Sequence, residues 1–218
     1  DKHTRKVHTV LGEVGDLIAW EVALERHGFY PAGGGRWVVD VTPAKTLSPI
    51  EIETRGEIQR REARALVAGL SGEIGLRELE RVGKRLGWSG DELRVRQIPQ
   101  DQGPGNALML FVQSEHVTEV FTSFGQRRVM AEAVADEAIE QCRRYLAGGA
   151  PVGECLADQL MVPLAIAGGG SYVTAKLTKH ATTNMDVIRA FLPVRIEACE
   201  VAGGCVPVPY THLTLPTK

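Results

Sequence analysis

Apolar and polar residues alternate along several segments of the chain, as is typical of β-strands. Between residues 58 and 68, Ala63, Ala65 and Val67 alternate with charged neighbours, and this predicts a half-buried strand. Further strands are predicted where β-branched or apolar residues cluster, at residues 14–25, 36–41, 93–98, 108–112, 117–121, 172–177 and 194–201. The pair at 108–121 is close enough in sequence to form a hairpin.

Apolar residues recur at helical spacing in other segments. One helix, which Gly87 should end, is predicted by the apolar positions Leu76, Leu79, Val82 and Leu86. Residues 131–147 predict an amphipathic helix, and residues 152–167 predict a second helix that Gly168 to Gly170 terminate. Pro163 lies inside the second helix, where its missing N–H should kink the helix or break it locally.

The segment from residue 172 to residue 193 places a histidine between a predicted strand and a predicted helix. Thr183 is typical of an N-cap, and Asp186 stands three residues later as the acidic half of a capping box. An apolar stripe continues the helix up to Pro193 through Val187, Ile188, Phe191 and Leu192. His180 therefore precedes a helix start, where unpaired N–H groups and a partial positive charge favour anions. A loop histidine without a chemical role is the alternative.

Length, charge and cysteine usage narrow the class of protein. The 218 residues can form one large domain or two small ones. A formal net charge of −2 gives no general attraction to nucleic acid, so any RNA binding requires a local basic patch or a phosphate-specific pocket. No apolar run approaches the roughly 20 residues that cross a bilayer. The scattered cysteines argue against a zinc site or a disulfide scaffold and favour a cytoplasmic location; they are Cys142, Cys155, Cys199 and Cys205.

Four separated segments, taken in order, resemble the RNA 3'-terminal phosphate cyclase family. They are residues 26–37, 100–106, 153–170 and the segment around His180. In the first, the family pattern is Arg or His, Gly, two variable residues, Pro, one variable residue, three Gly, one variable residue and an aliphatic residue. The matching residues are His27, Gly28, Pro31, Gly33, Gly34 and Gly35, whereas Trp37 stands at the aliphatic position.

The resemblance implies an α+β fold. A large cyclase-like domain would contain βαβα-type repeats of sheet and helix in two layers, with a smaller α/β domain inserted in it. We place parts of the large domain at residues 1–53 and 130–202, the inserted domain at 54–129, and an irregular tail, either native or foreign, at 203–218. Family members carry a substantial portion before the His27 segment. The chain is therefore expected to be a C-terminal fragment that lacks the N-terminal portion of the large domain.

The resemblance also implies an activity, namely the ATP-dependent conversion of an RNA 3'-terminal phosphate to a 2',3'-cyclic phosphodiester. His180 would be the catalytic nucleophile and would form a histidyl-AMP. ATP would contact Cys155, Leu156, Ala157, Asp158 and Gln159. The implied partners are RNA with a 3'-phosphate end and Mg²⁺, with Asp158 as the candidate metal ligand. The fragment itself is expected to be inactive.

Several of these residues also have an alternative role in the fold alone. Asp158 lies in an otherwise apolar helix, where a buried carboxylate is costly unless it is paired or metal-bound, but it could instead face solvent or cap a neighbour. The family often has an aromatic residue at the position of Cys155, and losing that stacking surface should cost roughly 1 kcal/mol. The glycines at 33–35 lack a following Lys-Ser/Thr, so they are not a P-loop; they could form a turn or contact a ligand.

A cyclase-like branch of the same superfamily offers an alternative function. That branch serves in ribosome assembly and lacks the catalytic histidine. The presence of His180 therefore favours the enzyme branch.

Overall fold

A computed structural model describes residues 4–5, 19–31, 33–42, 47–198, 206–207 and 210–212. These residues form a mixed α/β structure. Its strands are β1 (Thr4–Arg5), β2 (Ala19–Arg26), β3 (Arg36–Thr42), β4 (Ile50–Ile52), β5 (Ile58–Ala68), β6 (Leu93–Ile98), β7 (Gly105–Ser114), β8 (Thr118–Phe124), β9 (Gly169–Thr174), β10 (Val194–Ile196), β11 (Val206–Pro207) and β12 (Tyr210–His212). Its helices are α1 (Glu73–Leu86), α2 (Ala131–Ala147), α3 (Glu154–Ala167) and α4 (Lys179–Phe191). Within the described residues, no helix has the length and apolar character needed to cross a membrane.

The middle of the chain forms a four-stranded sheet in the order β6-β5-β7-β8. Strand β5 pairs in parallel with β6 and antiparallel with β7, and β7 forms the predicted hairpin with β8. The bounds of β5 and β6 agree with those predicted from the alternating pattern. Helix α1 ends at Leu86, and Gly87 forms its C-cap. Gly87 has a φ of 72°, a left-handed conformation that glycine adopts without strain.

Helix α2 has the predicted bounds but packs on this same sheet. Ala135, Ala138 and Ile139 of α2 are buried in one core with residues of β5, β7 and α1. The sequence predicted that α2 would resume the large domain. Its periodicity identifies an apolar face but does not say which surface covers that face. The boundary proposed at residue 129 thus falls just before a helix that shares its core with residues 58–124.

Ion pairs also join α2 to α1. Each of three arginines on α1 faces an acid on α2, in the pairs Arg77–Glu132, Arg81–Asp136 and Arg85–Glu140. The first two are bidentate, with N–O distances of 2.6 to 2.8 Å. The charged residues on this side of α1 therefore belong to an interface between two helices.

A second sheet contains β9, which pairs in parallel with β4 and antiparallel with β11 and β12. Helices α3 and α4 share its hydrophobic core, which includes Met161, Leu164, Tyr172 and Ile188. Strand β9 begins and ends three residues earlier than predicted. Helix α3 runs through Pro163 without interruption, so the break that the sequence allowed does not occur. The kink stays a prediction.

Two segments of the predicted irregular tail contribute strands to this sheet. Strand β12 pairs with β10 and β9, and β11 pairs with β9 at Val173 and Thr174. The tail that the sequence predicts to be irregular therefore contains two short strands, at residues 206–207 and 210–212. Strands of two or three residues are too short to show an alternating pattern, and their pairing depends on the partner backbone rather than on side chains.

Strands β2 and β3 form an antiparallel hairpin whose glycine-rich turn contacts the middle of the chain. Gly33 and Gly34 have φ of 65° and 76°, which favours glycine in this turn. The N–H of His27 donates to Gln102 Oε1 at 2.8 Å, and Arg26 pairs with Asp101 at 2.6 Å. Two of the four family-like segments, residues 26–37 and 100–106, are therefore in direct contact.

Candidate active site

The helix that carries His180 begins earlier than the sequence predicted. Thr178, not Thr183, is the N-cap of α4, and its hydroxyl accepts a hydrogen bond from the N–H of Ala181 at 3.1 Å. Ala181 is buried and extends the apolar stripe of Met185 and Ile188 back by one turn. Thr178 and Thr183 can each cap this helix. The start at Thr178 is the one that includes the buried Ala181 in the apolar face of the helix.

His180 consequently lies within the first turn of α4 instead of before the helix. It is exposed to solvent. The N–H groups of Lys179 and His180 precede the first intrahelical hydrogen bonds, so they face the end of the helix without a helical acceptor. The imidazole therefore lies at the partially positive end of the helix, where phosphate charge is stabilised.

Asn184 connects the helix of His180 to Asp158. Its side-chain Nδ2 donates to Asp158 Oδ1 at 2.9 Å and to the Asp158 backbone oxygen at 3.1 Å. Asn184 follows His180 by one helical turn, so the two side chains lie on the same face of α4. Asp158 and Asn184 are thus in contact across the α3–α4 pair, and His180 lies one helical turn before that contact.

Asn184, the amide that hydrogen-bonds to Asp158, was not identified from the sequence. The signal in the sequence was its spacing of four residues from His180, which places an amide on the same helix face. This spacing places the two side chains on one face only if the helix starts at Thr178. With a start at Thr183, His180 would lie outside the helix. The amide also explains how a carboxylate is accommodated in an apolar helix, because Asp158 is half-buried and hydrogen-bonded.

The residues predicted to contact ATP divide between two faces of α3. Cys155 and Gln159 are exposed, and Asp158 is half-buried. Ala157 is only 1 % exposed, and its carbonyl accepts a hydrogen bond from the Tyr172 hydroxyl at 2.7 Å. Leu156 packs against the hydrophobic core. The side chains of Cys155, Asp158 and Gln159 are therefore the ones accessible to a ligand on the outer face of this helix.

The start of α3 contacts the four-stranded sheet through a buried acid. Glu119 of β8 is 4 % exposed, and its Oε1 accepts a hydrogen bond from the N–H of Gly153 at 2.5 Å. Burial raises the pKa of Glu119 to about 7, and the Gly153 hydrogen bond opposes that shift. A Cβ at position 153 would lie 3.0 Å from the Glu119 carboxyl group. Glycine therefore permits this close approach at the helix start.

The fit of a metal ion to Asp158 can be judged from the donors around it. Within the described part of the chain, no three His, Cys, Asp or Glu side chains are arranged to hold an ion. Mg²⁺ is usually held by one or two carboxylates together with substrate phosphates and water. Asn184 occupies Oδ1 of Asp158, and Oδ2 is the oxygen that a metal would use. Asp158 fits the role of a single Mg²⁺ ligand.

Comparisons with known proteins agree with the family resemblance. The family described as RNA 3'-terminal phosphate cyclase matches residues 2–198. The chain therefore belongs to the RNA 3'-terminal phosphate cyclase family, and the resemblance of the four segments is confirmed.

The most similar relatives share one name, "RNA 3'-terminal phosphate cyclase". The protein of Pseudomonas aeruginosa (strain UCBPP-PA14) is 48% identical over 186 residues, which is 84% of this chain and 54% of that protein. The protein of Ectopseudomonas mendocina is 50% identical over 176 residues, 81% of this chain and 51% of the relative. The protein of Koribacter versatilis is 44% identical over 180 residues, which is 83% of this chain and 51% of that protein. The chain spans about half the length of the curated relatives it matches.

Proposed function

We propose that this chain carries the adenylylation site of an enzyme that converts an RNA 3'-terminal phosphate into a 2',3'-cyclic phosphodiester at the expense of ATP. The observation that carries the proposal is the placement of His180 in the first turn of α4, one helical turn before the Asn184 that hydrogen-bonds to Asp158. Membership of the cyclase family supports the choice of reaction.

In the first step, a ring nitrogen of His180 attacks the α-phosphorus of ATP. A P–N bond forms, the bond between the α-phosphorus and its bridging oxygen breaks, and pyrophosphate leaves. Covalent catalysis of this kind replaces one difficult displacement with two easier ones. The exposed ring meets the nucleotide without rearrangement of the core. The N–H groups of Lys179 and His180 stabilise negative charge as it develops on the phosphate.

Asp158 and Asn184 position the groups around the histidine. The hydrogen bonds of Asn184 fix the Asp158 carboxylate against α4, and Oδ2 of Asp158 is the atom that would hold Mg²⁺. When bound, Mg²⁺ neutralises charge on the triphosphate. Cys155 and Gln159 offer exposed side chains to the nucleotide on the same helix as Asp158.

In the later steps, an oxygen of the RNA 3'-phosphate attacks the phosphorus of the histidyl-AMP, the P–N bond breaks, and an anhydride forms. The ribose 2'-OH then attacks the RNA phosphorus and loses its proton, and AMP leaves with the electrons of the anhydride bond. We also propose that the chain alone does not complete this sequence. Relatives with the cyclase name are about twice as long as the part that this chain matches.

Transfer of label from ATP tests the proposal. A full-length protein containing this sequence is incubated with α-³²P-ATP and Mg²⁺, and the acid-labile label on the protein is measured. His180→Ala should abolish the label. His116→Ala is the matched control, because His116 is also exposed but lies in the hairpin of β7 and β8; this variant should be labelled like the parent. Equal labelling of the His180→Ala variant would remove His180 as nucleophile.

A further inference from the structure

A cleft of about 1080 Å³ lies where the β2–β3 turn, α1 and the start of α2 meet. Its lining includes Phe29 and Tyr30 from the turn, Phe124 from the end of β8, and Arg127 and Arg128 from the following loop. The residues of the candidate active site do not line it. Its volume is at the upper end of the range for small-molecule pockets, and it can accept an extended ligand.

Aromatic rings on this cleft are unusually exposed. Tyr30 is 94 % exposed and Phe124 is 61 % exposed. Exposure of a large apolar side chain to water is unfavourable, and a ligand that covers the side chain removes this cost. Exposed aromatic faces are the surfaces on which bases of single-stranded nucleic acid stack, at about 1–3 kcal/mol per base.

Two arginines beside the rings have no acidic partner among the described residues. Arg127 and Arg128 are exposed and form no ion pair there, whereas the arginines of α1 are paired with acids of α2. Arg128 has a φ of 69°, a left-handed conformation that costs free energy for any residue except glycine. A strained backbone that presents an unpaired cation at a cleft is typical of a binding position.

The first turn of α2 adds further positive potential. Ala131 and Val134 line the cleft, and the N-cap Met130 provides no side-chain hydrogen bond to the helix. The N–H groups of the first turn therefore lack a capping oxygen from that residue. Helix α2 begins shortly after Arg127 and Arg128, so the partial positive charge of its first turn lies near them, while Glu132 in that turn is paired with Arg77.

A buried polar group in the cleft wall is incompletely satisfied. Glu78 contributes to the wall and is fully buried. Its Oε1 accepts a hydrogen bond from Asn106 Nδ2 at 2.5 Å, but Oε2 has no hydrogen-bond partner in the part of the chain that the structure describes. Buried oxygens without partners are rare and indicate a missing donor.

We infer that this cleft binds a single-stranded stretch of RNA on the 5' side of its reactive end. Phosphates contact Arg127, Arg128 and the first turn of α2, and bases stack on Tyr30 and Phe124. The inference rests on the proposed function for the identity of the RNA, but the binding site is separate from His180. An acidic peptide would satisfy the arginines without using the two aromatic faces, so the combination favours RNA.

Binding of a labelled oligonucleotide to this chain tests the inference. A 5'-fluorescein oligouridylate of roughly twelve nucleotides with a 3'-phosphate is titrated by fluorescence anisotropy at several salt concentrations. The double variant Arg127→Ala with Arg128→Gly should raise the Kd roughly tenfold. It should also lower the salt slope by about 1.4, since each phosphate contact contributes about 0.7. Glycine is chosen at 128 because it adopts the observed φ without strain.

The matched control removes another adjacent pair of arginines. Arg143→Ala with Arg144→Ala changes the net charge equally but lies on the exposed side of α2, outside the cleft lining; it should change the Kd by less than about twofold. Tyr30→Ala should raise the Kd roughly fivefold, and Tyr30→Phe should restore it because the ring remains. Because Tyr30 is exposed, loss of binding in Tyr30→Ala does not come from unfolding.

Several results would overturn the inference: no binding of the oligonucleotide by the parent chain, equal losses in the two double variants, or equal displacement of the RNA by polyglutamate. The adenylylation assay on the full-length protein separates this failure from failure of the proposed function. Label on His180 without RNA binding removes the cleft alone. RNA binding that depends on Arg127 and Arg128 without any label removes the catalytic proposal alone.

Discussion

The amide of Asn184 holds the Asp158 carboxylate against the helix that carries His180. A half-buried carboxylate in an otherwise apolar helix is stable only with a partner, and this amide is the partner that the described structure provides. At the scale of single residues, the proposed catalytic role of Asp158 and the stability of the fold therefore depend on the same hydrogen bonds. His180 itself is exposed, so its removal should affect the chemistry far more than the fold.

Replacing Asn184 tests this link. Asn184→Ala should lower the free energy of unfolding by about 1–2 kcal/mol, because it leaves a half-buried carboxylate without its donor. It should also slow the formation of histidyl-AMP in the full-length protein. Urea denaturation measures the first effect and the initial rate of labelling measures the second. Thr183→Ala is the control, since Thr183 is the exposed neighbour of Asn184 in α4. Equal effects of the two changes would contradict the assigned role of Asn184.

At the scale of elements, the sequence pattern predicted the helices and strands whose bounds are determined by local periodicity. The bounds of β5, β6 and α2 follow from alternating or helical repeats and agree with the structure. The pattern could not reveal the surface on which α2 packs, because an apolar face does not encode its partner. It also missed the start of α4, since Thr178 and Thr183 are both good N-caps and tertiary burial of Ala181 decides between them.

The sequence located part of the candidate site. The motifs pointed to Asp158 and His180, and in the structure Asp158 accepts a hydrogen bond from Asn184, one helical turn after His180; their roles stay predictions. Asn184 was not identified from the sequence, because the position of the helix start determines whether Asn184 shares a helix face with His180. The cleft beside Tyr30 and Arg128 was also missed, since it is formed by segments distant in sequence and its strained φ has no sequence signature.

The two threonines at the start of α4 give an element-scale test. Thr178→Ala should lower the free energy of unfolding by about 1 kcal/mol, because the Ala181 N–H loses its acceptor. Thr183→Ala should instead raise it by a few tenths of a kcal/mol, because alanine has a higher helix propensity than threonine at an exposed site within a helix. Chemical denaturation with an identical protocol compares the two variants. A larger loss at Thr183 would place the N-cap there, as the sequence alone predicted.

At the scale of the whole molecule, Glu119 joins the two packed units. It lies on the sheet of residues 58–124 and accepts a hydrogen bond from Gly153 at the start of α3. Burial raises the pKa of Glu119 from its ordinary 4.5 to about 7. The folded state therefore binds this proton more tightly than the unfolded state. The resulting contribution to stability is complete below about pH 4.5 and is lost as the pH rises through about 7.

Glu119→Gln tests this pH dependence. Glutamine keeps an acceptor for the Gly153 N–H but does not titrate. Between pH 5 and pH 8, the unfolding free energy of the parent should fall by on the order of 2 kcal/mol more than that of the variant. Denaturation curves at several pH values measure the difference. Glu78 is buried with a pKa also raised to about 7, and it titrates in both proteins, so its effect cancels in the comparison. Parallel pH profiles would contradict a raised pKa at Glu119.

His180 is the residue that we propose receives the adenylyl group from ATP. Trypsin cleaves after Lys179 and Arg189, so residues 180–189 form one peptide in which His180 is the only histidine. After the full-length protein is incubated with ATP and Mg²⁺, mass spectrometry at neutral pH should find AMP on this peptide and locate it on the His180 ring. AMP attached to any other residue, or full-length protein that forms no adduct with ATP, would contradict the assignment.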